Sequence, residues 1–119
     1  MAQFFVNVAK SFGYAGRGVV VASRGRNFRI MIAAALVVVT LGTILDVSRT
    51  SWGILLICIG GVLGAEGMNT AIEKLADQIE TRYHSAIGDI KDVAAGGVLV
   101  GSVLAAIVGL IVFWPYVTG

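Results

Sequence analysis

Charge, proline, cysteine and histidine are all scarce in this chain. Only 13% of its 119 residues are charged, about half the roughly 25% of an ordinary soluble domain, and that excludes a conventional water-soluble fold. The single cysteine, Cys58, lies within an apolar run. It rules out an intramolecular disulfide, leaves no cysteine and histidine cluster with zinc spacing, and reads as a small buried hydrophobe. His84 has no second histidine to join it at a metal. The one proline, Pro115, stands close to the C-terminus, where it is expected to end or kink the last helix. Gly16-Arg17-Gly18 lacks the spacing of a phosphate-binding P-loop, and no strand precedes it. The first 18 residues contain neither an uninterrupted apolar core nor a small-residue cleavage site, so no cleaved leader is expected. No repeat or low-complexity segment is evident.

What is present is hydrocarbon. Hydrophobic residues make up 57% of the chain and the mean hydropathy is +0.89, the composition of an integral membrane protein with a single small domain over residues 1–119. Three apolar runs approach the roughly 20 residues needed to cross a bilayer. They lie at about 29–45, 52–72 and 93–117. The first is rich in β-branched residues, but a lone strand in lipid leaves its backbone unsatisfied, whereas a helix satisfies its own. The fold expected is therefore all-α, with transmembrane helices at about 29–47, 52–84 and 92–117. The segment Asp46–Ser51 makes an antiparallel hairpin of the first two. The second helix continues past the lipid into water before a turn near Gly88.

Lys10, Arg17, Arg24, Arg26, Arg29, Lys74, Arg82 and Lys91 fall on one side of this arrangement, with Arg49 alone on the other. The positive-inside rule then places the N-terminus in the cytoplasm and the C-terminus outside. Within about 3–22, Phe4, Phe5, Val8, Phe12, Val19 and Val20 alternate with Lys10 and Arg17, which suits an amphipathic helix lying in the membrane interface. Gly60 with Gly64, and Gly97 with Gly101, form small-xxx-small pairs that permit close helix approach. Three helices bury little, so an oligomer is expected. Trp52, Trp114 and Tyr116 read as headgroup anchors, Asp46 and Arg49 as a solvated turn. Glu80, Arg82 and Asp89 read as a charged face. No nucleic-acid partner is expected.

Glu66, Asn69, Glu73 and Asp77 carry the functional signal. At 3.6 residues per turn they occupy roughly an 80° sector of one helix face. Glu66 sits at the end of an apolar run, and a carboxylate at membrane depth costs about 2.5–3.5 kcal/mol even on gentle insertion scales, which makes it a functional candidate. Such a stripe suits a metal site, a proton path or general base catalysis at the boundary of lipid and water. Tyr83, His84, Gly88, Lys91 and Asp92 follow on the same side. They add hydrogen-bonding and phosphate-seeking groups, pointing to a polyphosphate carried with magnesium, a cation held by one or two carboxylates plus phosphate oxygens.

The run from Gly64 to Val100, GAEGMNTAIEKLADQIETRYHSAIGDIKDVAAGGVLV, resembles the signature of the prokaryotic membrane diacylglycerol kinase and undecaprenol kinase family. The matching positions are Glu66, Asn69, Thr70, Ala71, Ile72, Glu73, Asp77, Tyr83, His84, Lys91 and Asp92. Ser11-Phe12, Tyr14-Ala15, Gly18 and Asn27-Phe28-Arg29-Ile30 extend the resemblance over nearly the whole chain. It implies three transmembrane helices, an interfacial N-terminal helix, a homotrimer in the bacterial inner membrane, and transfer of the ATP γ-phosphate to a lipid hydroxyl at the cytoplasmic surface. By position, Glu66 would be the general base, Glu73 would hold Mg2+, and Asn69 would orient the reacting groups. Lys91 and Asp92 would belong to the nucleotide and phosphate site, lined by Tyr14, Asp77, Tyr83, His84 and Gly88 and shared between protomers. The last span and the Arg-Asn-Phe-Arg-Ile segment look more like the Gram-positive and cyanobacterial branch, where undecaprenol is a common acceptor, than the enterobacterial one.

One departure stands out. The family usually carries a second metal-binding glutamate just before Asn-Phe-Arg, and here Ser23-Arg24-Gly25-Arg26-Asn27 contains no acid. Met31 also replaces a residue that is often polar. An arginine contacting phosphate directly would preserve the kinase. A crippled metal site would instead leave a lipid- or nucleotide-binding homologue without efficient transfer. A proton- or ion-conducting oligomer is a third reading, resting on Glu66 and Glu73 alone.

Overall fold

The computed structural model describes residues 1–79 and 85–119. Four helices account for nearly all of them: α1 (Ala2–Ala22), α2 (Arg26–Ile44), α3 (Arg49–Ile79) and α4 (Ser85–Thr118). There is no strand among the described residues. α2, α3 and α4 are each long and apolar enough to cross a membrane, and few of their side chains are buried within the protein. Their exposed leucines, valines and isoleucines cannot be left to water at this density, so the chain is a multi-pass membrane protein.

Local chemistry sets the helix ends. α2 stops at a Schellman motif, in which the Val47 N–H donates to Gly42 O at 3.1 Å and the Asp46 N–H to Thr43 O at 3.2 Å. Asp46 takes the left-handed conformation that closes such a motif, with φ of 51°, and aspartate is one of the few non-glycine residues that tolerate it. Ser48 then starts α3, its Oγ accepting from the Ser51 N–H at 3.1 Å, as an N-cap serine does. α2 therefore ends, and α3 begins, about three residues earlier than the hydropathy suggested. Inside α2, Thr40 and Thr43 donate their hydroxyls to Leu36 O and Val39 O, leaving no bare hydroxyl to face lipid.

Two further expectations change. Gly88 lies inside α4 and not at a turn, because the helix already starts at Ser85. One glycine costs only about 1 kcal/mol in a helix supported on both sides. Of the two outcomes expected at Pro115, an end or a kink, the end is excluded, since α4 runs on to Thr118. So near the end, proline removes one backbone bond, and the Gly119 N–H still donates to Pro115 O at 3.0 Å.

α3 is the hub against which α1, α2 and α4 all pack, most extensively α4. At the end away from Glu66, the Trp52 ring lies against Gly42, so close that a Cβ there would stand 2.8 Å from the ring. Tyr116 Oη accepts the Ser48 N–H at 2.9 Å and lies 3.3 Å from Ser51 Oγ, joining the end of α4 to the α2–α3 turn. Trp52 and Tyr116 thus have partners in the protein, beyond any role as headgroup anchors, while Trp114 is exposed. At the opposite end, Arg29 Nε donates to Ser23 O at 2.9 Å, tying the first turn of α2 to the end of α1. α1 itself is exposed from Met1 to Val20.

Candidate active site

α3 presents its acid stripe as a gradient. Glu66 and Asn69 are each only 5% exposed, while Glu73 and Asp77 are exposed. At 1.5 Å per residue the stripe is about 16 Å long. α4 packs along α3, and its half-buried or buried Lys91, Ala94, Val98, Ser102 and Ala105 share one face at helical spacing. The deep end therefore suits a proton acceptor screened from water, and the wet end suits a carboxylate that stays ionised beside a cation.

Asn69 organises the middle. Its Nδ2 donates to Glu73 Oε1 at 3.1 Å, one turn away on the same face. Its Oδ1 is buried without a hydrogen-bond partner among the described residues, and a buried orphan acceptor in a native site calls for a donor. Glu66 lies close enough to Glu73 to feel its negative charge. At the wet end Lys91 of α4 donates from Nζ to Asp77 Oδ1 at 2.6 Å. This pair brings a cation to the mouth of the stripe.

The predicted residues divide accordingly. Glu66, Asn69, Glu73 and Asp77 share the stripe, and Lys91 joins it. Asp92 is exposed on the adjoining face of α4, about 100° round from Lys91. Gly88 is half-buried in the first turn of α4. Tyr14 is 73% exposed on α1 and lines a groove between α1 and α3 together with Thr70 and Ala71, on a different face of α3. Tyr83 and His84 lie outside the described residues. The Lys91–Asp77 pair and the α1–α3 groove were not anticipated from sequence. The first was signalled by opposite charges flanking a helix connection, the second by small residues at Gly64, Gly67 and Ala71.

For a divalent cation, no three acidic, cysteine or histidine side chains converge among the described residues. Glu73 keeps one carboxylate oxygen beyond the Asn69 bond. That donor set fits magnesium, which is bound typically by one or two carboxylates together with substrate phosphates and water, and does not fit a cage built wholly from protein.

Comparison with known proteins agrees in extent with this architecture. The family model for prokaryotic diacylglycerol kinase matches residues 13–113. Undecaprenol kinase of Bacillus subtilis (strain 168) is 41% identical over 107 residues, covering 89% of this chain and 87% of its own. Diacylglycerol kinase of Escherichia coli (strain K12) is 30% identical over 113 residues, covering 94% and 93%. Diacylglycerol kinase of Synechocystis sp. (strain ATCC 27184 / PCC 6803 / Kazusa) is 35% identical over 109 residues, covering 90% of this chain and 62% of its own. With its match spanning α1 to α4 and including the whole acid stripe, the chain belongs to the prokaryotic diacylglycerol kinase family.

Proposed function

We propose that this lipid kinase transfers the γ-phosphate of ATP to the hydroxyl of a membrane lipid alcohol at the cytoplasmic surface, with Glu66 as general base. The observation that carries the reading is the buried pair of Glu66 and Asn69, with the unpartnered Asn69 Oδ1 beside a carboxylate at membrane depth. A lipid hydroxyl entering from the bilayer supplies the missing donor. Its proton passes to Glu66 as its oxygen bonds to the γ-phosphorus, and the bond from that phosphorus to the β-γ bridging oxygen breaks to release ADP. Asn69 holds Glu73 and the acceptor in register. Lys91, anchored by Asp77, offers its remaining N–H groups to the phosphates, with Tyr14, Gly88, Asp92, Tyr83 and His84 completing the nucleotide site. Glu73 would hold Mg2+, which when bound neutralises charge on the transferring phosphate.

The sidedness of the basic residues supports a cytoplasmic N-terminus. The exposed phenylalanines of α1 support its placement in the membrane interface. The bare faces of the spans and the separation of Tyr14 from the stripe support a homotrimer whose neighbours complete each site. The higher identity to an undecaprenol kinase favours a polyprenol acceptor over diacylglycerol.

The test is phosphate transfer from γ-labelled ATP with magnesium to undecaprenol and to diacylglycerol in parallel lipid micelles. Label in the polyprenol is the expected result. Glu66→Gln should slow transfer by about 10²–10⁴-fold, the usual worth of a general base, while the variant still binds ATP and keeps its oligomeric state. Transfer at the wild-type rate in that variant would remove Glu66 from the mechanism.

A further inference from the structure

The three spans do not close completely on one another. Between α2, α3 and α4 lies a cavity of about 240 Å3 that no charged residue lines among the described residues. Small side chains leave the space: Ala34 and Ala35 of α2 line it, as do Ala105, Ala106 and Gly109 of α4. A Cβ on Gly109 would still meet nothing within 4 Å. On α3 the wall includes Leu55, Ile59 and Val62, all within about 40° of Glu66 round the helix. At 1.5 Å per residue, Val62 and Leu55 lie about 6 Å and about 16 Å beyond Glu66 along the helix, so the cavity extends into the hydrocarbon. Ala34 and Ala106 are exposed, which puts its mouth on the bilayer side.

Ser102 supplies the hydroxyl in this apolar wall. Its Oγ is buried without a hydrogen-bond partner among the described residues, whereas Thr40, Thr43 and Thr118 each donate to the carbonyl one turn back in their own helix. A buried orphan donor in hydrocarbon calls for an acceptor from outside. We infer that the cavity holds a small uncharged amphiphile, a medium-chain alcohol, its oxygen accepting from Ser102 and its chain against Leu55, Cys58 and Ile59. The lining selects this class. A buried water needs two to four polar partners, and here it would find one hydroxyl and the weakly bonding sulfurs of Met31 and Cys58. A charged molecule would find no counter-ion, and a bare acyl chain would leave Ser102 unpaired. A polyprenol has one oxygen, and with that at the phosphate its tail would leave Ser102 unpaired as well. Size agrees, since an apolar cavity of roughly 150 Å3 already takes up benzene. The site rests on the membrane reading of the chain and is independent of the base assigned to Glu66.

Photolabelling of the full-length protein in lipid nanodiscs, with an octanol that carries a diazirine on its chain, reads the occupancy directly once the adducts are mapped by mass spectrometry. Adducts should concentrate on residues that line the cavity, Cys58 and Ala105 among them, and should saturate. Unlabelled 1-octanol should displace the probe about fivefold better than octane at the same membrane concentration, the usual worth of one hydrogen bond. Ser102→Ala should bring the two competitors level. Ala105→Leu, and Ala34→Leu at the mouth, should lower cavity labelling by taking up its space, while Val103→Ala, on the exposed face of α4, should leave it as in the wild type. Adducts spread evenly over the lipid-facing residues would overturn the inference. Equal competition by octanol and octane in the wild type would overturn it too, by making the cavity a seat for any hydrocarbon chain. So would displacement of the probe by undecaprenol at a concentration where octanol fails, as expected if the tail of a lipid acceptor fills the cavity. The measurement needs no turnover, so an inactive kinase and an empty cavity are distinguishable.

Discussion

Lys91 Nζ stands 2.6 Å from Asp77 Oδ1 and joins α4 to α3 one turn beyond Glu73. Both side chains are partly exposed, and exposed ion pairs contribute little to stability. What the pair does provide is direction. An untethered lysine at a membrane surface samples many rotamers, whereas one held by Asp77 keeps its remaining donors at the mouth of the stripe, where a phosphate would meet Glu73.

This geometry separates a phosphate ligand from a mere helix clamp. Lys91→Met should lower kcat/KM for ATP by about 10²–10³-fold, the usual loss when a donor to developing charge is removed. Asp77→Asn, which frees the lysine without deleting it, should cost less. In the charge-reversed double variant, Lys91→Asp with Asp77→Lys, the pair can re-form but the cation has moved to α3. Transfer should stay low in that protein, and recovery to the wild-type rate would mean that the pair only holds the helices together.

Asn69 permits a sharper test because its two ends do different work. Asn69→Asp places a second carboxylate about one hydrogen-bond length from Glu73, and adjoining carboxylates repel unless a cation lies between them. Half-saturating magnesium should therefore fall while turnover drops by about 10²-fold. Asn69→Leu should lose turnover similarly with little change in magnesium affinity. Steady-state rates across a magnesium titration of both variants check this. Parallel behaviour of the two would show that the side chain only fills space.

Which parts of this arrangement were legible in the sequence follows from which signals are local. Helical spacing is a property of one segment, so Glu66, Asn69, Glu73 and Asp77 could be placed on one face before any fold was known. Hydropathy located three spans for the same reason. It misplaced the ends of α2 and α3 because the Schellman motif at Asp46 and the cap at Ser48 are set by hydrogen bonds that hydropathy averages over. Gly88 read as a turn because glycine is a weak helix former, yet one weak residue does not stop a helix supported on both sides. Contacts between helices were the least legible. The Lys91–Asp77 pair, the Trp52 ring on Gly42 and the groove between α1 and α3 all depend on how separate helices meet, and no periodicity within one helix encodes that.

The Trp52 contact predicts a stability effect remote from the site. A Cβ on Gly42 would lie 2.8 Å from the ring, inside van der Waals contact, so Gly42→Ala should destabilise the fold by about 1–3 kcal/mol through overpacking. Trp52→Leu in the same chain should remove the clash, making the two changes strongly non-additive. Thermal unfolding in detergent of the two single variants and the double variant gives the coupling. Additive losses would place Trp52 away from Gly42 in the membrane.

Gly25 offers the last test, since the family resemblance implies a second metal-binding glutamate in the acid-free segment Ser23–Asn27 around it. It is the N-cap of α2, with φ of −77° and ψ of 143°, an extended conformation open to any residue. A Cβ there would meet only Ala22 O, at 3.4 Å, and an acid at a helix N-terminus gains about 0.3–1 kcal/mol from the helix dipole. Counted back along the antiparallel helices from the contact of Gly42 with Trp52, residue 25 stands near the level of Asn69, about one turn from Glu73. Gly25→Glu should therefore fold, and it should raise turnover severalfold when magnesium is limiting but little when magnesium is saturating. Gly25→Gln is the control, because it keeps the length and removes the charge. If glutamine matched glutamate, the gain would come from the helix end and not from the metal. If glutamate raised the Tm while leaving the magnesium dependence untouched, Glu73 and the phosphates would hold the cation without help from this position.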